Sequence, residues 1–349
     1  MLLNYHHECN DHAGSLDWIG RHEHYFNING FRPDHFASPS GTRYMTVDGR
    51  AIAAIDIGSN TLKLTVARVS HGQITLIAGT AEVVRLCEGL GETGRLRDDR
   101  IQLAIDVLRG FKEIARELSA GTIIAVATAA TRSAANGMDF LARVKDDVGL
   151  DVSVIDGDEE ARLTSNGVLA QIDPGGAILI VDIGGASTEL IATRDGVVLE
   201  STSLDLGSGV LTDRFVPSDP PLTLELDMVE RETADRATEF LSRHGRFARL
   251  VLVGGVGEFL FSLLGKSGYA ESSALDEARQ IVLGLTADDL APLIVAPVAR
   301  ARVLPAGFAI ARAISRKSGA PQIESVGNGL RIGILLRVAA SGVQEESPR

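Results

Sequence analysis

Residues 179–190, LIVDIGGASTEL, constrain the fold more than any other part of the chain. An apolar run rich in β-branched residues ends in Asp182, passes through two glycines and two hydroxyl residues, and resumes as an alternating apolar segment. This pattern predicts a strand, a tight turn and a second strand. The turn's N–H groups and the Ser187 and Thr188 hydroxyls can bind an anion, and Asp182 can hold a cation, which favours phosphate with a divalent metal. An ordinary hairpin turn would give the same short motif.

The first half of the chain repeats this pattern. Residues 52–64 read IAAIDIGSNTLKL. At equal offsets, Asp56, Ile57, Gly58, Thr61, Leu62 and Leu64 correspond to Asp182, Ile183, Gly184, Ser187, Thr188 and Leu190. Two similar turns, one in each half, indicate a duplicated unit whose turns face one another.

Composition excludes several classes of protein. With 349 residues, of which 45% are apolar, the chain is long enough for two domains. A net charge of -12 argues against a nucleic-acid binder, which needs surplus Lys and Arg. Cys9 and Cys87 are far apart and lack a metal-ligand spacing, so we expect a reducing compartment and no disulfide framework. No apolar run has the length of a membrane span and none resembles a signal peptide, which predicts a cytoplasmic protein without membrane contact.

The order of apolar segments predicts the domains. Residues 1–46 lack periodicity and are expected to be a disordered extension, with a flexible tail at 341–349. Between them, 47–174 and 175–340 each predict the order βββαβαβα. This order, with its two phosphate turns, resembles the actin-like (ribonuclease H-like) architecture that sugar kinases and Hsp70 proteins share. The resemblance implies an α/β fold of two duplicated domains, and we expect the active site in the cleft between them.

Four further stretches contain candidate functional residues. The segment 126–132, VATAATR, places Arg132 after a strand, where its guanidinium can bind phosphate or simply face solvent. The segment 156–163, DGDEEARL, opens a helix with acids, of which Glu160 can activate water or only favour the helix dipole. The glycines of 252–263 fit close packing better than a nucleotide site. Arg85 and Arg95 lie in a glycine-broken loop that can overhang the cleft or remain a surface loop.

Six segments together resemble one family. They are DIGSNTLKL, VVRLCEGLGETGRL, VATAATRSAANGMDFL, GDEEARL, VDIGGASTEL and GNGLRIGIL, and they span about residues 50 to 337. In this order they are similar to the exopolyphosphatase and guanosine pentaphosphate phosphohydrolase (Ppx/GppA) family. The absence of further C-terminal helical domains suggests the short, two-domain type.

The resemblance implies a role for each site residue. Glu160 is the implied water-activating base, and Glu189 and Arg132 complete the catalytic set. Asp182, Asp56 and Glu160 are the implied ligands of Mg²⁺ or Mn²⁺. The implied phosphate-binding residues are Gly58, Ser59, Asn60, Thr61, Gly184, Gly185, Ala186 and Ser187.

Three positions depart from the family pattern. Ala186 replaces a usual glycine, Glu258 introduces a carboxylate into the glycine segment, and Arg302 stands where an acid is common. These changes fall at the substrate-length end of the cleft.

The sequence thus predicts a metal-dependent hydrolase that removes terminal phosphate from inorganic polyphosphate, with a homodimer possible. Guanosine pentaphosphate is the alternative substrate, and a non-catalytic sensor of polyphosphate or an alarmone is an alternative of another class. An ATP-dependent kinase is disfavoured because Glu-Glu-Ala-Arg has no role in one.

Overall fold

The computed structural model describes residues 51–70 and 73–341, which form an α/β fold on two sheets. The predictions for the extension 1–46 and for the tail after residue 341 lie outside these residues. The division into domains at 174 and 175 stays a prediction.

The first sheet has five strands in the order β3-β2-β1-β4-β5. Its strands are β1 (Ala51–Ile57), β2 (Thr61–Ser70), β3 (Gln73–Val83), β4 (Ala120–Ala127) and β5 (Val152–Val154). β1, β4 and β5 are parallel, whereas β2 and β3 run antiparallel to their neighbours. The helices of this half are α1 (Leu90–Thr93), α2 (Asp98–Glu117), α3 (Ala129–Ser133), α4 (Gly137–Val148) and α5 (Gly157–Leu169).

The second sheet has six strands in the order β10-β11-β9-β6-β7-β8. Its strands are β6 (Ala177–Ile183), β7 (Thr188–Arg194), β8 (Val197–Leu204), β9 (Arg249–Val253), β10 (Tyr269–Glu271) and β11 (Gln322–Val326). Its helices are α6 (Ser208–Phe215), α7 (Thr223–His244), α8 (Gly255–Leu263), α9 (Ala274–Val282), α10 (Ala287–Leu293), α11 (Val298–Ala301), α12 (Leu304–Ser318) and α13 (Leu330–Ser341).

Without β10, the second sheet repeats the strand order and directions of the first. The predicted fold of two duplicated actin-like units is therefore confirmed. The apolar, β-branched runs became the central strands, and every residue of β1 is buried. Four local features differ from the prediction. The short helix α1 lies in a stretch that the sequence predicts to be a loop. β10 and α6 are additional elements, and Arg132 lies in the short helix α3 rather than in a loop.

Each half ends in a helix that packs on the sheet of the other half. Val168 of α5 belongs to one apolar cluster with Ile178 of β6, and Ile332 of α13 belongs to another with Ile52 of β1. Where the two helices cross, a Cβ atom on Gly333 would lie 1.9 Å from the Leu163 carbonyl oxygen. The helix backbones therefore touch, and the crossing joins the two halves beside the cleft.

Among the described residues, no single helix has the length and apolar composition of a membrane span. One pair, Ala287–Leu293 with Val298–Ser318, meets these criteria only when joined across a bend of 106°.

Candidate active site

The two predicted turns connect β1 to β2 and β6 to β7. Asp56 pairs across its hairpin with Lys63, and Asp182 pairs across the other with Glu189. The Gly184 N–H group donates to the Ser187 carbonyl oxygen at 2.9 Å, which closes the second turn. Both aspartates thus lie at the carboxyl ends of central parallel strands, where α/β sheets bind ligands.

The turns meet at Asn60. Its Nδ2 donates to Ser208 Oγ at 3.3 Å, and its Oδ1 accepts from the Cys87 thiol at 3.5 Å. A Cβ atom on Gly185 would lie 2.5 Å from the Asn60 side chain, so the second turn requires glycine there. Because its side chain is buried and its carbonyl oxygen accepts from the Val84 and Arg85 N–H groups, Asn60 can offer a phosphate chiefly its backbone N–H group. Ser59 Oγ similarly accepts from the Ala130 N–H group at 3.2 Å.

Four carboxylates gather behind the turns: Asp56, Asp182, Glu160 and Glu189. Burial raises the pKa of each. It raises the pKa of Asp182 to about 6, although Lys63 opposes the shift. The carboxylates of Glu189 and Asp56 raise the pKa of Glu160 further. This mutual repulsion favours a bound cation, and the predicted site residues stay a prediction.

Glu160 and Glu159 face different surroundings although they are adjacent in the first turn of α5. Glu159 binds the exposed Arg162 at 2.8 Å and Arg337 at 2.6 Å. Glu160 is only 8% exposed and lies 3.4 Å from Arg132 Nη1. Of the two glutamates, Glu160 is therefore the one that belongs to the carboxylate cluster.

Two hydrogen bonds orient the other catalytic candidates. Glu189 Oε1 accepts from Ser203 Oγ at 2.7 Å, which fixes a carboxylate that is otherwise buried on β7. Arg132 Nη1 donates to the Ile155 carbonyl oxygen at 2.7 Å. A guanidinium has five N–H donors, so Arg132 keeps donors for a phosphate after making these contacts.

Two cations, Lys63 and Arg300, act on Asp182. Arg300, which the sequence patterns did not single out, is 8% exposed and lies over the Phe259 ring at 5.5 Å. Lys63 and Arg300 both oppose the raised pKa of Asp182. Arg302, by contrast, donates to the Val216 carbonyl oxygen at 2.6 Å, at the end of α6. Arg302, which departs from the family pattern, thus caps the end of α6, whereas Arg300 lies within electrostatic range of Asp182.

The carboxylate cluster fits a hard divalent cation. Within the described part of the chain, no three His, Cys, Asp or Glu side chains converge closely enough to hold a metal by themselves. Mg²⁺ is usually bound through one or two carboxylates, with water and substrate phosphates completing its shell. The Thr131 hydroxyl is also buried, and no described residue forms a hydrogen bond with it. An ion bound together with its phosphate ligand therefore suits these residues better than a preformed metal cage.

Comparison with known proteins identifies the family of this chain. The family profile described as "Ppx/GppA phosphatase family" matches residues 65–341. Two Aquifex aeolicus structures, a Ppx/GppA family member and a PPX-GPPA enzyme, are 28% and 29% identical to this chain, with TM-scores of 0.69 and 0.67. The first alignment covers 85% of this chain and 99% of that one, and the second covers 82% and 99%. An exopolyphosphatase from Cytophaga hutchinsonii, 22% identical over 84% of this chain and 98% of its own, shares the fold with a TM-score of 0.78. Since the profile spans most of the chain, the protein belongs to the Ppx/GppA phosphatase family.

Proposed function

We propose that this protein hydrolyses the terminal phosphoanhydride bond of inorganic polyphosphate, using a water molecule that Glu160 activates. The observation that carries the proposal is the position of Glu160, which is buried among carboxylates and beside Arg132 at the edge of the phosphate turns. The family contains phosphatases, and one structural relative is described as an exopolyphosphatase.

The chain's own residues support each step. Backbone N–H groups of the two turns, with Ser187, bind the terminal phosphoryl group. Glu160 accepts a proton from water as the water oxygen forms a bond to phosphorus, and the shortened chain leaves with the bridging oxygen. Arg132 neutralises charge that develops on the phosphoryl oxygens.

A divalent ion completes the proposed centre. Asp182, with Asp56 and Glu160, would hold Mg²⁺ or Mn²⁺, which when bound supplies positive charge against the phosphate oxygens. Without such an ion, the four carboxylates would repel the substrate.

Guanosine pentaphosphate is the alternative substrate because it ends in the same phosphoanhydride group. The turns, Arg132 and Glu160 act on that terminal group alone, so hydrolysis of either compound uses the same centre. A sensor built on this centre would bind either ligand through the same turns without releasing phosphate.

Phosphate release separates these functions. We expect the protein with Mg²⁺ to release phosphate from polyphosphate faster than from guanosine pentaphosphate. A faster release from the nucleotide would favour the alternative substrate. Binding of either compound without release would indicate a sensor and contradict the proposal.

A further inference from the structure

Three charged side chains near the start of α8 lack the direct partners that charged side chains have elsewhere in the described residues. They are Lys63 of β2, Arg300 of α11 and Glu258 of α8. Within the described part of the chain, none of the three has a side-chain hydrogen bond or an ion pair. Arg300 is buried, and Lys63 and Glu258 are partly buried. Desolvation of a charge without a partner costs free energy, which a bound ligand of opposite charge can offset.

Lys63 and Arg300 meet at the start of α8. A Cβ atom on Gly254 would lie 3.5 Å from Lys63 Nζ, and one on Gly255 would lie 2.4 Å from a guanidinium nitrogen of Arg300. Glycine leaves room for both cations against the backbone, where the first N–H groups of α8 also point outward. This combination of two cations and free N–H groups favours a bound anion.

Glu258 introduces the opposite charge one turn further along α8. Its Oε1 lies over the loop before α13, since a Cβ atom on Gly327 would be 2.2 Å away. Burial raises the pKa of Glu258, whereas Lys63, Arg331 and Arg300 oppose the shift. The Glu258 side chain is partly exposed and lies within electrostatic range of Lys63 and Arg300.

Arg331 does not complete an anion site there. Its Nη1 donates to the Leu64 carbonyl oxygen at 3.0 Å, and its Nη2 binds Asn328. Arg331 therefore links α13 to β2. Of these charged residues, and within the described ranges, Lys63 and Arg300 remain as cations without an ion pair, and Glu258 lies one helical turn after the glycines that face them.

We propose that Glu258 is a specificity-determining residue that limits how far a phosphate chain extends in the cleft. This inference rests on the proposed function. Lys63 and Arg300 bind the phosphates next to the one that is cleaved, and Glu258 repels a further phosphate beyond them. Every unit of polyphosphate carries negative charge, so a long chain meets this repulsion while a short chain ends before it.

The test compares KM for tripolyphosphate with KM for long-chain polyphosphate in the wild type and in Glu258→Gln. Removal of one like charge near a half-buried site should improve KM for the long chain by roughly tenfold relative to KM for tripolyphosphate. Glu258→Asp keeps the charge and should keep the wild-type ratio. Glu271→Gln makes the same charge change on exposed β10 and should alter neither KM.

Three results would overturn the inference: an unchanged ratio in Glu258→Gln, an equal loss of discrimination in Glu258→Asp, or the same gain in Glu271→Gln. If the wild type releases no phosphate from either polymer, the proposed function fails instead. Dissociation constants of the two polymers, measured by titration calorimetry on the same variants, then test Glu258 by the same ratio.

Discussion

Lys63 and Glu189 occupy equivalent positions in the two hairpins, and each stands directly across from the aspartate that ends the central strand. Residues that pair across antiparallel strands lie on the same face of the sheet. The duplicated unit therefore gives Asp56 a cation as its neighbour and gives Asp182 a second carboxylate. The two halves therefore differ in charge at the same position of the repeat, which is positive beside Asp56 and negative beside Asp182.

Replacement of Glu160 by Gln should abolish most turnover and leave substrate binding largely intact. The amide keeps the shape of the side chain but cannot accept the proton of water, and a general base typically contributes roughly two to four orders of magnitude. Turnover and KM of the variant measure the two effects.

Asp158→Asn is the matched control for Glu160→Gln. Asp158 belongs to the same first turn of α5 but is exposed, so its replacement should preserve turnover. If Glu160→Gln keeps the wild-type turnover, either Glu189 is the base or no carboxylate acts as one.

Activity should vanish in excess chelator and return with Mg²⁺ or Mn²⁺. The reason is the charge of the site, because burial and repulsion among Glu160, Glu189 and Asp182 disfavour another anion unless a cation is added. Phosphate release before and after metal addition measures this dependence. Full activity in the presence of chelator would refute the metal role.

The sequence predicted those features that depend on local patterns. The two glycines between Val181 and Leu190 predict a hairpin, and the equal offsets in residues 52–64 indicate the duplication. The contact between Asn60 and Ser208 joins residues 148 positions apart, so no local pattern could show it. Arg300 was missed for the same reason, because its role depends on how α11 packs against the start of α8.

The close crossing of α5 and α13 was only weakly predictable from the sequence. The only indication was the presence of glycine within segments that form helices. Replacement of Gly167 or Gly333 by Ala should destabilise the protein by about 1–3 kcal/mol, because each new Cβ atom would collide with backbone of the facing helix or its preceding loop. Urea denaturation measures the loss.

Gly91→Ala is the control for the crossing. A Cβ atom there has nothing within 4 Å, and Gly91 lies in α1. Alanine in a helix is favoured over glycine by about 0.5–1 kcal/mol, so this variant should be at least as stable as the wild type. Equal effects at Gly91 and Gly333 would argue against close packing at the crossing.

Cys87 should resist alkylation in the folded protein. Burial raises the pKa of its thiol from 9.0 to about 12, and the nearby Asp213 carboxylate adds to this shift. Because the thiolate is the reactive form, little of it exists in the native state below about pH 12. The unfolded thiol ionises from about pH 9, so stability that depends on this group falls as pH rises from 9 towards 12.

Mass spectrometry of the Cys87 peptide after iodoacetamide treatment tests this prediction. We expect slow labelling of the native protein and rapid labelling in urea at the same pH. Equally fast labelling in both conditions would show that the thiol is accessible and the contact with Asn60 is not maintained.

Polyphosphate hydrolysis should be distributive and should weaken with salt, because few cations remain free to hold a long chain. Several basic residues near the cleft are already paired. Arg85 binds Asp213, Arg162 binds Glu159 and Lys266 binds Glu277. Among the described residues, the cations proposed for the site are Lys63 and Arg300, together with Arg132, whose guanidinium also contacts Glu160 and the Ile155 carbonyl oxygen. The binding free energy that they provide falls as salt screens exposed charge. A short cationic track releases the shortened polymer after each cleavage.

Gel analysis of a partial digest should show a ladder that shortens gradually, whereas intact long chains beside free phosphate would indicate processive hydrolysis and a longer binding surface than these three cations supply.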